Sequence, residues 1–391
     1  MSGAALPTSA EVVIVGGGVM GTSVAFHLAE AGVADVLLLE RDALGAGSTA
    51  KAAGGVRAQF SDAVNIALGA RGLEAFEGFA ERPGGAIDLD QVGYLFCLTT
   101  VEDLATFEAA VALQNSMGVA TRLLTPTEAA GLAPVLRTDD LLAAAFHARD
   151  GICSPDGVVQ GYAAAARRLG ATLLTGVEVT AIEADASGVA AVVTGAGRVT
   201  TGSVICVAGA WSEALAATAG VHLPVTPLRR QIVVTEALDE RRQALAPRST
   251  PMTIDAASTF YFHREGPGML MGLSYEDEVP GFDLSTDDAW LPSLLAAVEA
   301  RAPALADLGV AHRWAGLYEV SPDHNGLIGA ATDRPGFFYA TGFSGHGFLQ
   351  GPAVGEVLRD LWLGREPFVD VSPLSAERFA VGAVRPEHHI V

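Results

Sequence analysis

Gly16, Gly18 and Gly21 stand in the spacing G-x-G-x-x-G, between a short apolar run, Glu11 to Val15, and a stretch from Met20 to Ala31 with helical spacing at Val24, Ala25 and Leu28. In such a turn each glycine has its own task. The first lets the chain reverse tightly, the second lets backbone approach a diphosphate, and the third lets the helix pack close on the strand. The N–H groups at the helix start, around Val19 and Met20, and the positive end of the helix dipole would face that diphosphate. A second apolar run, Val36 to Leu39, ends at Glu40, whose carboxylate can accept hydrogen bonds from both ribose hydroxyls and would repel a 2′-phosphate. Strand, glycine turn, helix, strand and terminal carboxylate follow in the order that an adenine-dinucleotide βαβ unit requires, and Glu40 argues against a ligand of the NADP type.

The elements that must position this chemistry run well beyond the first unit. After Glu40, Arg41 opens a small-residue loop to Gly47-Ser48-Thr49, with hydroxyl and N–H groups that could line a second phosphate and a flavin. Val158 to Leu169 reads as a helix, Thr172 to Leu174 and Val177 to Ile182 as strands, and Val189 to Thr194 with Arg198 to Thr201 as a hairpin. A buried strand, Val204 to Val207, runs into Ala208-Gly209-Ala210-Trp211, and the last clear helix spans Gln350 to Trp362. Two stretches, Ala86 to Leu142 and Arg229 to Leu273, mix strand-like segments with amphipathic helices and read as a second lobe inserted into the first.

Six ordered motifs then give the chain a family likeness: the N-terminal fingerprint, Gly47-Ser48-Thr49 with Gly54-Gly55-Val56-Arg57, Ser154-Pro155-Asp156-Gly157, Ala208-Gly209-Ala210-Trp211, Tyr318 with Pro322-Asp323-His324, and Gly342-Phe343-Ser344-Gly345-His346-Gly347-Phe348. Together they resemble the D-amino-acid-oxidase-like superfamily of FAD enzymes, in particular its sarcosine oxidase, glycine oxidase and dye-linked proline dehydrogenase branch. The resemblance implies an α/β (α+β) fold, with a Rossmann-like FAD-binding domain and an inserted, mainly antiparallel-sheet substrate domain. FAD binding would fall to residues 1–85, 146–226 and 312–391, and substrate binding to 86–145 and 227–311.

Carried over residue by residue, the resemblance implies that Gly345, His346, Gly347 and Phe348 sit near the flavin pyrimidine. Val179 would lie in the strand that meets the adenine, with Ala208, Gly209 and Trp211 beside the nucleotide half. Arg57 matches an arginine that pairs with a substrate carboxylate, and a guanidinium fork suits that partner. Leu349 stands where the family often has a second, lysine anchor. Tyr318 matches a tyrosine facing the substrate. Phe260 to His263 belongs to a strand expected to cover the pocket, where alternation puts Tyr261 and His263 on one face. Gly316 and Pro155 occupy the positions at which relatives attach a flavin covalently, so the cofactor expected is non-covalent FAD. Leu270 falls where a lysine promotes reaction with oxygen in monomeric sarcosine oxidases, which predicts a dehydrogenase that prefers another electron acceptor.

The reaction implied is oxidation of a secondary amine or amino acid to an imine by hydride transfer to the flavin, followed by hydrolysis, with oxygen or another acceptor taking the electrons. An FAD-dependent 2-hydroxy-acid dehydrogenase and a flavin-binding assembly factor or non-catalytic subunit are the alternatives. The formal net charge of -21 over 391 residues argues against nucleic acid or an anionic membrane as partner. Cys97, Cys153 and Cys206 show no paired or metal-binding spacing, so no metal site is expected and a reducing cytoplasm fits. The N-terminal residues lack the pattern of a signal peptide or membrane span. A homo-oligomer and an association with a partner subunit are both left open.

Overall fold

A computed structural model describes residues 5–387 of the chain. Strand β1, Val12–Val15, is buried along its whole length, as a central parallel strand must be. It pairs in parallel with β2, Val36–Glu40, on one side and with Val204–Cys206 on the other. Thr172–Thr175 extends this sheet beyond β2, and Phe337–Thr341 with Leu327–Ala330 completes six strands beyond Val204–Cys206. Only the edge pair 327–330 with 337–341 runs antiparallel.

Helix α1, Val19–Glu30, is buried on every side from Val19 to Ala29, because it lies on the sheet and under two further helices, Pro155–Arg168 and Gly347–Trp362. Small residues make that packing close. A Cβ on Gly351 would come within 2.7 Å of Val19, and one on Gly355 within 2.1 Å of the Ser23 hydroxyl. The hairpin expected around residues 189–201 is part of a three-stranded meander, Val179–Asp185, Gly188–Thr194 and Gly197–Thr200.

A second sheet of eight strands has the spatial order 310–320, 226–235, 268–272, 261–265, 252–255, 94–98, 143–147 and 122–124. It is antiparallel except where 252–255 meets 94–98. Its apolar residues pack under the helices Val101–Ser116, Pro126–Leu132 and Leu291–Arg301, around cores that include Phe96, Phe260, Phe262 and Trp290. Two long strands, Thr226–Thr235 and Val310–Val320, pair antiparallel along almost their full length and run out of this sheet toward the nucleotide half. At their far end Asp323 is fully buried against Arg378, 2.8 Å away, which gives the Pro322-Asp323-His324 motif a structural role. The three cysteines are buried and free, and among the described residues no helix is long and apolar enough to cross a membrane.

Candidate active site

One cleft of about 520 Å³ runs from the β1–α1 turn, between the sheets, to the strand that carries Tyr261. Gly16 has φ +114°, and a Cβ there would lie 2.4 Å from the Val207 carbonyl oxygen. At Gly18 the backbone faces the cleft, and a Cβ would meet only the Thr49 hydroxyl, at 3.0 Å. Gly21 lies behind the turn and not in the cleft, where a Cβ would be 1.8 Å from the Gly16 carbonyl oxygen, so its task is packing. Val19 and Met20 open the helix at the cleft wall, and the Val19 N–H donates to the Thr49 hydroxyl at 3.2 Å.

The Glu40 carboxylate is fixed at the end of β2. Its Oε2 accepts from the Gly17 N–H at 2.6 Å and its Oε1 from the Asp42 N–H at 2.8 Å. Arg41 lies over the Trp211 ring, 3.7 Å from its centroid, and Phe282 stacks on the same indole. Val179, Ala208 and Gly209 line the same end, while Gly47, Ser48, Thr49, Gly54 and Gly55 line the middle. Here the Ser48 hydroxyl donates to the Leu317 carbonyl at 2.7 Å, which ties the loop to the long strand. Gly316 faces Lys51, whose Cβ would be 2.6 Å from a Cβ on the glycine.

Gly345, His346, Gly347 and Phe348 form the opposite wall. Gly345 has φ +104°, and a Cβ on it would press into the Tyr318 ring at 2.5 Å. The helix begins at Gly347 with His346 as its N-cap, three residues before the expected start at Gln350, because Gly347 and Phe348 continue helically beneath Phe343. His346 is 2% exposed, and neither ring nitrogen has a hydrogen-bond partner. Burial, reinforced by the charge of Arg57 and then by His324, pushes its pKa down to about 3, so the imidazole is neutral at physiological pH. A glycine cradle at Gly18, a prefixed carboxylate at Glu40 and an unpartnered buried imidazole at the far wall fit a long polar cofactor such as FAD.

Beyond that wall the cleft is aromatic. Tyr94, Tyr261 and Tyr318 line it with Ile232, Met252 and Ile254. Burial holds all three phenols above their ordinary pKa, so they are hydroxyl donors and not bases. Arg57 reaches the cleft while only 4% exposed, with its guanidinium 4.2 Å from the Phe60 ring centroid and one N–H on the Gln59 carbonyl. His263 does not line the cleft. It shares a strand face with Tyr261, but its Nδ1 is 2.7 Å from the Arg264 carbonyl and its Nε2 is 3.1 Å from that of Ala53, so the loop that carries Ala53 covers it.

The cleft residues missed in the sequence include Lys51, Tyr94, Arg230 and Glu319. Glu319 and Arg230 did carry a weak signal as charges in long apolar strands. Leu270 is buried in the core beside Ile232, Met252 and Tyr261, as a residue bearing no charge should be. Positive charge reaches the cleft through Lys51, Arg57 and Arg230 instead, so the leucine does not make the site uncharged.

The sequence profile of the family described as FAD dependent oxidoreductase (DAO) matches residues 11–361. Among curated relatives, mitochondrial dimethylglycine dehydrogenase of Rattus norvegicus is 29% identical over 388 residues, covering 95% of this chain and 45% of that protein. The chain thus spans about half the length of the dimethylglycine and sarcosine dehydrogenases it matches. Among solved structures, L-proline dehydrogenase from P. horikoshii superposes with a TM-score of 0.90 at 32% identity, over 97% of this chain and 100% of that one. Glycine oxidase from Geobacillus kaustophilus superposes with a TM-score of 0.82 at 26% identity, over 95% and 99% of the two chains. With the profile covering the cleft from the β1–α1 turn to the last helix, the chain belongs to the DAO family of FAD-dependent oxidoreductases.

Proposed function

We propose that this chain oxidises the C–N bond of a secondary amine or amino acid, of the N-methyl amino acid or proline type, to an imine that water then hydrolyses. The observation that carries this reading is the aromatic compartment of Tyr94, Tyr261 and Tyr318, which meets the Gly345–Phe348 wall and receives Arg57. FAD, when bound, supplies the acceptor for the two electrons. The chain's residues do the rest: aromatic walls exclude water and fix an amine's orientation, and phenol hydroxyls hold its polar groups. Among the described residues the aromatic walls offer no strong base: the phenols stay protonated, and the imidazole of His346 is held neutral and is very weakly basic. That suits removal of a hydride better than removal of a proton from carbon.

In this reading Gly16, Gly18, Val19, Met20 and Glu40 hold the nucleotide half, with Gly21 packing behind them. Arg41, Val179, Ala208, Gly209 and Trp211 flank it, and Ser48, Thr49, Gly54 and Gly55 lie along the middle. FAD is held without a covalent bond, because neither Gly316 nor Pro155 offers a nucleophile. The relatives' names include both dehydrogenases and an oxidase, so oxygen and another acceptor both remain in play. The test is anaerobic titration of the holoenzyme with sarcosine, dimethylglycine, proline, glycine and 2-hydroxy acids while flavin absorbance is followed. Bleaching by the amines, with release of an amine and a carbonyl product, is expected. Bleaching by hydroxy acids alone would move the reaction to C–O oxidation, and no bleaching at all would leave a flavin-binding subunit.

A further inference from the structure

The strand Thr226–Thr235 has a cleft face, an outer face and one open edge. Arg230 and Ile232 line the cleft, so alternation turns Arg229 and Gln231 outward. The strand Val310–Val320 pairs with it along almost its whole length, but the strand Gly268–Gly272 pairs with it only at Ile232, Val233 and Val234. Its first half therefore presents backbone groups that need cover. Residues 278–287, in the connection between Gly268–Gly272 and the helix Leu291–Arg301, lie over that half as a strap.

Three ties hold the strap in place. The Gly281 N–H donates to the Pro227 carbonyl at 2.9 Å, and the Asp287 N–H donates to Gln231 Oε1 at 3.0 Å. Between them the Arg229 guanidinium pairs with Glu278 at 3.0 Å, Asp283 at 3.1 Å and Asp287 at 2.6 Å, and donates to the Ser285 carbonyl at 2.7 Å. Cover for an open edge accounts for these ties but not for Phe282. That side chain leaves the strand and crosses to Trp211, with ring centroids 5.5 Å and planes 25° apart. Phe282 stays 49% exposed, so burial is a small part of what the ring gains there, and the stack on the indole is the larger part. Trp211 lines the nucleotide end of the cleft with Arg41 over its ring, whereas Phe282 lies outside the cleft. The strap thus meets the cleft through this indole.

We propose that residues 278–287 are a clasp for FAD: tied to the strand by Arg229, the strap uses Phe282 to hold Trp211 in the cleft wall and so slows loss of the cofactor from outside the cleft. Arg229 and Phe282 are positioning residues in this scheme. It rests on the placement of the nucleotide half beside Trp211 and adds the device that keeps the indole there.

The test is the rate at which holoenzyme loses FAD, followed as the rise in flavin fluorescence after dilution and checked by the flavin that stays with the protein on gel filtration. Phe282→Ala removes a half-exposed ring and leaves all three ties intact, so the apoprotein should melt as wild type does. Its holoenzyme should lose FAD about 2- to 10-fold faster, the worth of one aromatic pair. Phe282→Tyr, which keeps the stack, should restore the wild-type rate. Arg229→Met should also speed the loss, and Asp283→Asn combined with Asp287→Asn serves in its place if the methionine protein does not fold. The decisive comparison puts Phe282→Ala into Trp211→Ala: a strap that acts through the indole predicts that the double variant loses FAD no faster than Trp211→Ala alone. Effects that multiply in the double variant overturn the clasp. A wild-type rate in Phe282→Ala, with faster loss in Trp211→Ala, overturns the clasp and leaves the nucleotide placement standing. Loss at the wild-type rate in Trp211→Ala rejects that placement, and the clasp with it.

Discussion

Glu319 offers the most quantitative test of the cleft's chemistry. Its Oε2 is 2.9 Å from the Thr341 hydroxyl, which is also 3.1 Å from the Gly209 carbonyl oxygen. A threonine hydroxyl has one hydrogen. If Glu319 is protonated, it donates to Thr341 and Thr341 donates to Gly209, so every group is satisfied. If Glu319 is ionised, Thr341 must turn its hydrogen to the carboxylate and the Gly209 carbonyl loses its partner. Burial adds to this by pushing the carboxyl pKa up to about 7, against the opposing pull of the Thr341 hydroxyl and the Phe343 and Gly342 amides.

The sign follows from linkage. Between the ordinary carboxylate value near 4.5 and the folded value near 7, the folded chain binds more protons than the unfolded one, so stability falls as pH rises through this window. At about 1.4 kcal/mol for each tenfold change, the loss totals about 3 kcal/mol. Glu319→Gln keeps a donor toward Thr341 at every pH and should not show that loss. For a chain of this length, about 2 cal/mol/K per residue gives an unfolding entropy near 0.8 kcal/mol/K, so 3 kcal/mol corresponds to about 4 °C. Thermal unfolding of the apoproteins is therefore expected to show the glutamine variant level with wild type at about pH 5 and about 4 °C ahead at about pH 8.5. A melting difference that stays constant over this range would refute both the raised pKa and the hydrogen-bond chain.

Gly18→Val should yield folded protein without flavin, because its Cβ would enter the cleft and meet only Thr49, whereas Gly16→Val should fail to fold, its Cβ striking the Val207 carbonyl; flavin content and melting temperature separate the two. Arg378→Met leaves the fully buried Asp323 without its counter-ion and should cost about 3 to 5 kcal/mol, read as a drop in melting temperature of about 4 to 6 °C. Acid precipitation of the holoenzyme should release all the yellow FAD to the supernatant, and flavin that stays with the pellet would contradict non-covalent binding.

The nucleotide half was legible because its signal is local. Gly16, Gly18, Gly21 and Glu40 lie within one βαβ unit, and periodicity alone orders strand, turn, helix and strand. The substrate half depends on register, which a single sequence does not display. Arg230 lines the cleft from a strand whose partner, in register at Gly316, is distant in sequence. Tyr94 reaches the cleft because Gly55 leaves room, a Cβ there lying 1.7 Å from the phenol oxygen. Alternation assigned His263 correctly to the face of Tyr261, but tertiary cover by the Ala53 carbonyl removed it from the cleft. The start of the last helix was set too late because Gly347 weakens helical propensity, while packing beneath Phe343 fixes it as the first helical residue.

Electrostatics ties the two halves together. Burial keeps the phenols of Tyr94, Tyr261 and Tyr318 protonated and the imidazole of His346 neutral, while Lys51, Arg57 and Arg230 bring cations into the cleft, Glu40 and Asp42 bring carboxylates to its nucleotide end, and Glu319 is poised at its midpoint. The molecule as a whole carries -21, and that field repels an anion long before it reaches the cleft. A zwitterionic amino acid has no net charge to be repelled, yet its carboxylate would find the cations Lys51, Arg57 and Arg230 within the cleft at short range. Of the amine substrates open to this fold, the zwitterion therefore meets both conditions, free approach and a local counter-charge.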